Sequence, residues 1–74
     1  MQVDVHLYAS LRLNRFSRRR VALPPGARVI DLIELLHMPV DEAGVIIVNK
    51  RDATLNTELT DGDRITLMPH IGGG

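Results

Sequence analysis

The 74-residue sequence contains no cysteine and no tryptophan, and only one tyrosine and one phenylalanine. Without thiols there is no disulfide framework, no cysteine nucleophile and no thiolate metal site. The chain must fold by packing alone, and covalent chemistry must use another group. Scarce aromatics and a net charge of zero also argue against a nucleic-acid-binding surface, which needs stacking platforms and a basic stripe. Three consecutive arginines, Arg18, Arg19 and Arg20, do not supply one, because on a strand they project to alternate faces. No apolar run approaches the length of a membrane span, and Met1-Gln2-Val3-Asp4 lacks the basic start and apolar stretch of a signal peptide. A cytoplasmic location, with no membrane partner, is the expectation. His6, His37 and His70 are too far apart in sequence for ligand spacing and are expected at surface or edge positions, so neither a catalytic nor a metal site is predicted.

What is present suits one small domain. An apolar content of 45% with 24% charged residues is globular rather than disordered. The charge is unevenly spread. Residues 1–28 hold six arginines against Asp4, a balance of +5, and residues 29–74 hold eight acids against Lys50, Arg51 and Arg64, a balance of −5. Val3, Val5 and Leu7 alternate with polar residues and predict a strand. A connection follows, from which Leu11, Leu13 and Phe16 are expected to fold back onto the body. Arg18 to Leu23 predicts a second strand forming a hairpin with the first, stopped by Pro24-Pro25-Gly26. Val29, Leu32, Ile33 and Leu36 fall at helical spacing, which predicts a helix from about Val29 to His37, weakly capped at Arg28 and stopped by Pro39.

The β-branched run Val45-Ile46-Ile47-Val48 predicts a central strand covered on much of both faces. Residues 50–60 suit a turn, a short edge strand and a partly helical loop. Asp61-Gly62-Asp63 predicts a tight turn, and Ile65 and Leu67 a final strand ended by Pro69. The whole is an α+β roll: a mixed sheet of four to five strands packed on one main helix.

The sequence then closes on Pro69-His70-Ile71-Gly72-Gly73-Gly74. Glycine costs the most backbone entropy to order and packs nothing, so residues 72–74 are expected as a flexible tail beyond a domain of residues 1–71. The carboxylate of Gly74 is then the chain terminus.

Four segments carry a family likeness: Pro25-Gly26-Ala27-Arg28-Val29-Ile30-Asp31-Leu32-Ile33, Val45-Ile46-Ile47-Val48-Asn49, Leu59-Thr60-Asp61-Gly62-Asp63-Arg64-Ile65, and Met68 through Gly74. In their order and spacing the chain resembles the MoaD/ThiS family of ubiquitin-like β-grasp sulfur carriers, which serve molybdopterin and thiamine-thiazole biosynthesis. Two departures stand out: Met68 precedes Pro69, so only one of the family's usual pair of prolines remains, and three glycines stand where two suffice.

The resemblance implies a carrier rather than an enzyme. A ubiquitin-activating-like adenylyltransferase binds ATP and adenylates the terminal carboxylate, here that of Gly74. A sulfurtransferase then supplies sulfur to make a thiocarboxylate, which the large subunit of a synthase consumes. No cofactor is expected on the chain itself, since ATP is the partner's ligand. Gly73 and Gly72 have no side chains to obstruct threading of the arm into a partner. Met68, Ile71 and Arg64 are the expected partner-binding residues: Met68 on the outer face of the last strand, Ile71 entering an apolar pocket, and Arg64 flanking the patch. Molybdopterin, or its tungsten equivalent, is the first expectation for the pathway and thiazole the alternative. A ubiquitin-like interaction module that is never activated, or a modifier conjugated to lysines, are the rival classes.

Overall fold

Alternation in the first strand sets the sheet. In β1 (Gln2–Leu7), Val3, Val5 and Leu7 are fully buried while Asp4 and His6 lie on the opposite, partly exposed face. β2 (Arg18–Ala22) pairs with it antiparallel, placing Val21 opposite Val3. β5 (Arg64–Met68) runs parallel to β1, with Ile65 opposite Val5 and Leu67 opposite Leu7. β3 (Val45–Val48) pairs antiparallel with β5, and the two-residue β4 (Arg51–Asp52) closes that edge. The order across the five-stranded mixed sheet is β2-β1-β5-β3-β4, so the first and last strands lie at its middle. The computed structural model describes residues 1–70; Ile71, Gly72, Gly73 and Gly74, and with them the expected domain–tail boundary, lie outside the described residues.

One helix, α1 (Val29–Leu35), covers one face of the sheet, burying Val29, Leu32 and Ile33 completely. They join Val3, Val5, Leu7, Leu11, Leu59, Ile65 and Leu67 in one core. The result is the two-layer α+β roll with one helix predicted from the pattern, in the β-grasp form that the resemblance implied. A helix of seven residues has little stability of its own and is held by this packing. Truncating Leu32 to alanine is therefore expected to cost about 2–5 kcal/mol. That is a large share of the roughly 4–11 kcal/mol available to a domain of this length, and a fall in the urea midpoint at unchanged slope measures it.

The helix ends earlier than expected. His37 adopts a left-handed conformation (φ 55°), the Met38 N–H donates to the Ile33 carbonyl at 3.2 Å, and the His37 N–H donates to Glu34 at 3.0 Å. This Schellman closure satisfies the last carbonyls before Pro39 is reached. At the other end, the Arg28 side chain offers no acceptor, but the Asp31 carboxylate accepts the Arg28 N–H at 2.7 Å and closes the first turn.

Three further expectations are corrected. Val45–Val48 is not central but second from the edge, and all four of its residues are partly exposed. Leu13 is 69% exposed: the turn of 3-10 helix at Ala9–Arg12 directs Leu11 inward instead, and Phe16 packs against the core. Residues 53–60 form turns rather than a partly helical loop, tied to the start of α1 by the Val29 N–H donating to Thr57 and the Ile30 N–H donating to Leu55.

Candidate functional site

The face of the sheet away from α1 carries the candidate site. The register that buries Ile65 and Leu67 turns Arg64, Thr66 and Met68 outward on β5. It sets Val45 beside Met68 and Ile47 beside Thr66. Ile46 and Val48 pack against the core, whereas Val45, Ile47 and Met68 are partly exposed on the other side. These three form an apolar patch on an otherwise polar face. Arg64 shares the face with Met68 but stands at the opposite end of β5, about 13 Å away at strand rise. Arg18 and Arg20, exposed on β2, rim the far side. Arg20 meets Asp4 at 3.7 Å, an exposed pair that contributes little to stability. An apolar centre inside a charged rim is the usual form of a protein interface.

His6, expected at an ordinary surface position, lies within this face, opposite Thr66 on one side and Arg18 on the other. Its Nε2 is shielded from solvent and has no hydrogen-bond partner among the described residues. Burial, then the nearby Arg18 and Arg64 guanidinium groups, lower its pKa, with Asp4 opposing. The lowered pKa favours the neutral imidazole at pH 7, so His6 adds no charge of its own beside the patch.

The Asp61-Gly62-Asp63 turn assembles the three strands beneath the face. Gly62 takes φ 86°, which favours glycine. Asp61 accepts the Gln2 N–H at 2.7 Å, and the Gly62 N–H donates to the Gln2 carbonyl at 2.8 Å. Asp63 is buried; its carboxylate accepts the Thr60 N–H at 2.8 Å, the Thr60 hydroxyl at 2.9 Å and the Asn49 amide at 2.7 Å. Asn49 in turn accepts the Arg64 N–H at 2.9 Å. Asn49 and Lys50 both have positive φ (51° and 70°), as the two-residue turn between β3 and β4 requires. The Val-Asn and Asp-Gly-Asp motifs are thus two halves of one clamp.

Burial alone pushes the Asp63 carboxyl up, but the bonds from Thr60 and Asn49 outweigh it and its pKa is lowered. A depressed folded-state pKa adds stability that is present above the unfolded value of about 3.9 and is lost as pH falls through the folded value. The chain is therefore expected to lose stability in acid below about pH 4. Asp63→Asn should flatten that limb of the pH profile while lowering stability at pH 7 by about 1–3 kcal/mol. Urea melts of both proteins from pH 7 to pH 2 check this.

Of the six residues singled out from sequence, the structure brings Met68 and Arg64 onto one face, while Ile71, Gly72, Gly73 and Gly74 lie outside the described residues. Val45, Ile47 and His6 were missed as face residues. The signal was available: in an antiparallel pair with β5, alternate positions of the Val45–Val48 run must face away from the core. Among the described residues no helix is long and apolar enough to cross a membrane, and no three metal-ligating side chains converge.

Comparison with known proteins agrees with this architecture. The ThiS family model matches residues 5–74. Among solved structures, a provisionally named molybdopterin converting factor subunit 1 from Pyrococcus furiosus is 32% identical, with a TM-score of 0.79 over 96% of this chain and 99% of that one. Subunit 1 or 2 in a complex of the two subunits of molybdopterin-converting factor from Helicobacter pylori is 25% identical over the full length of both chains, with a TM-score of 0.67. Small archaeal modifier protein 1 from Haloferax volcanii shares the fold at 22% identity, with a TM-score of 0.74 over 95% of this chain and 98% of that one. No curated protein sequence matches closely enough to add to these. A match over nearly the whole chain, on a β-grasp body, makes the chain a member of the MoaD/ThiS family of ubiquitin-like sulfur carriers, and so a carrier rather than an enzyme.

Proposed function

We propose that the protein carries sulfur as a thiocarboxylate on the C-terminal carboxylate of Gly74 and donates it in molybdopterin, or tungsten-pterin, cofactor biosynthesis. The observation that carries this reading is that the family match runs through the glycines to residue 74. Adenylation is needed because a free carboxylate is a poor electrophile. A carboxylate oxygen attacks the α-phosphorus of ATP and expels pyrophosphate, and the acyl-adenylate then has AMP as its leaving group. A persulfide sulfur of the sulfurtransferase attacks the acyl carbon, AMP departs, and a second thiol cleaves the remaining S–S bond to free the thiocarboxylate. The ATP site belongs to the ubiquitin-activating-like adenylyltransferase, and the chemistry proceeds in the cytoplasm.

In this reading residues 1–71 are the body and 72–74 the arm, with Gly72 and Gly73 threading the terminus into the partner. The patch of Val45, Ile47 and Met68, with Arg64 at its rim and Ile71 beyond it, docks first on the adenylyltransferase and then on the large subunit of the synthase. Molybdopterin is favoured by the likeness to the Pyrococcus furiosus protein and by the Helicobacter pylori complex of subunits 1 and 2. The name of the family model keeps the thiamine-thiazole pathway as the alternative. Purified chain mixed with its cognate adenylyltransferase and ATP is expected to release pyrophosphate in proportion to the chain added. No release would remove the activated-carrier reading and leave a ubiquitin-like interaction module.

A further inference from the structure

The last described residue, His70, lies against Gly44, the residue that precedes β3. Val45 pairs with Met68, so the next step outward along the antiparallel ladder sets Gly44 beside Pro69. Pro69 has no N–H, and the ladder closes there. His70 then crosses Gly44. A Cβ added at Gly44 would stand 2.5 Å from Cγ and 2.6 Å from Cδ2 of the His70 imidazole, and 2.6 Å from the His70 backbone nitrogen. Real Cβ atoms essentially never approach so closely, and the backbone nitrogen is not the pliant tip of a side chain.

The backbone of Gly44 does not itself demand glycine. Among the described residues positive φ at glycine occurs at Gly26 and Gly62, not at Gly44. An alanine would be tolerated there but for His70. The floor is also fixed: the Gly44 N–H donates to the Glu42 carbonyl at 3.0 Å, and Ala43 beside it is buried. Of the two segments in contact, the one that yields to a methyl group is the chain leaving β5.

We propose that Gly44 is a positioning residue: it is a side-chain-free saddle that fixes the direction in which the C-terminal segment leaves the body. The inference rests on the reading that the terminal carboxylate is the reacting group. A carrier docked by its patch must present that carboxylate at a fixed point in the partner. A displacement of about 1 Å at a reacting centre costs up to about 100-fold in rate, and His70 is the last residue before the four that carry the terminal carboxylate.

The test is steady-state pyrophosphate release by the cognate adenylyltransferase at saturating ATP, with full-length carrier as the varied substrate. Gly44→Ala is expected to lower kcat about tenfold or more while KM stays within about twofold, because the docking patch is untouched. Adding His70→Gly removes the ring and lets the backbone relax, so the double variant is expected to recover at least part of the lost kcat. Wild-type kcat in Gly44→Ala overturns the proposal. So does a loss confined to KM, or one accompanied by a fallen melting temperature that His70→Gly does not relieve, since either marks a structural role. Should Gly44→Ala alone not fold, the double variant is compared with His70→Gly alone, since the His70 backbone nitrogen still meets the added methyl group: a lower kcat in the double variant at constant KM supports the saddle, and equal kinetics overturns it. A wild-type chain that releases no pyrophosphate removes the underlying reading and this one together, whereas wild-type turnover with an unaffected Gly44→Ala removes only this one.

Discussion

Deletion of Gly74 is expected to abolish thiocarboxylate formation without disturbing the fold. The buried core runs from Val3 to Leu67, so nothing after β5 contributes to it among the described residues. The melting temperature of the shortened chain should match that of the full chain. The chemical effect is of another order. One residue of extended chain spans about 3.3–3.6 Å, comparable to the whole distance between reacting atoms in a near-attack geometry. The new carboxylate therefore stops short of the phosphorus it must attack. The deletion is informative because of the third glycine. The shortened chain still ends in Gly72-Gly73, so the loss would report reach rather than the identity of the last two residues. Intact-mass measurement of the reaction mixture decides it. A thiocarboxylate on the shortened chain would mean that Gly72 is a spare and that the arm tolerates a shorter register.

Met68→Asp carries the second large effect. Met68 lies at the C-terminal end of β5, on the outward side, paired with Val45 and near Ile47. A carboxylate there enters the apolar patch, and docking would have to strip its water. Affinity for the adenylyltransferase is expected to fall at least about tenfold, or roughly 1.4 kcal/mol, the scale of an interface residue that matters. The core side of β5 keeps Ile65 and Leu67 buried, so the fold should persist. Titration calorimetry with wild-type chain and variant measures the difference. Equal affinities would move the docking surface away from this face, and the edge of the sheet at β2 with its arginines would become the place to look.

The strands and the helix were legible because each shows its period. Val3-Val5-Leu7 and Ile65-Leu67 repeat every second residue, and Val29-Leu32-Ile33 at helical spacing, so burial could be assigned from sequence. What escaped depends on contacts between distant segments. The end of α1 looked like the work of Pro39 because proline is a local signal, whereas the Schellman closure needs His37 in a left-handed conformation that no propensity marks. Val45–Val48 looked central because four β-branched residues in a row suggest cover on both faces. It is instead one strand from the edge, with Val45 and Ile47 left partly exposed on the outer face. That misreading hid two-thirds of the apolar patch while Met68 was found. The Asp-Gly-Asp segment read correctly as a turn, but its tie to Asn49 joins residues 14 apart. Gly44 was invisible for the same reason: only its approach to His70, 26 positions on, gives it a role.

The most direct measurement is the intact mass of the complete chain after incubation with ATP, its cognate adenylyltransferase and a persulfide-bearing sulfurtransferase. The account predicts a gain equal to one sulfur less one oxygen, placed on Gly74 by fragmentation and absent when ATP is withheld. A chain that returns with its mass unchanged, or that gains mass only by linkage of Gly74 to a lysine of another protein, would contradict it.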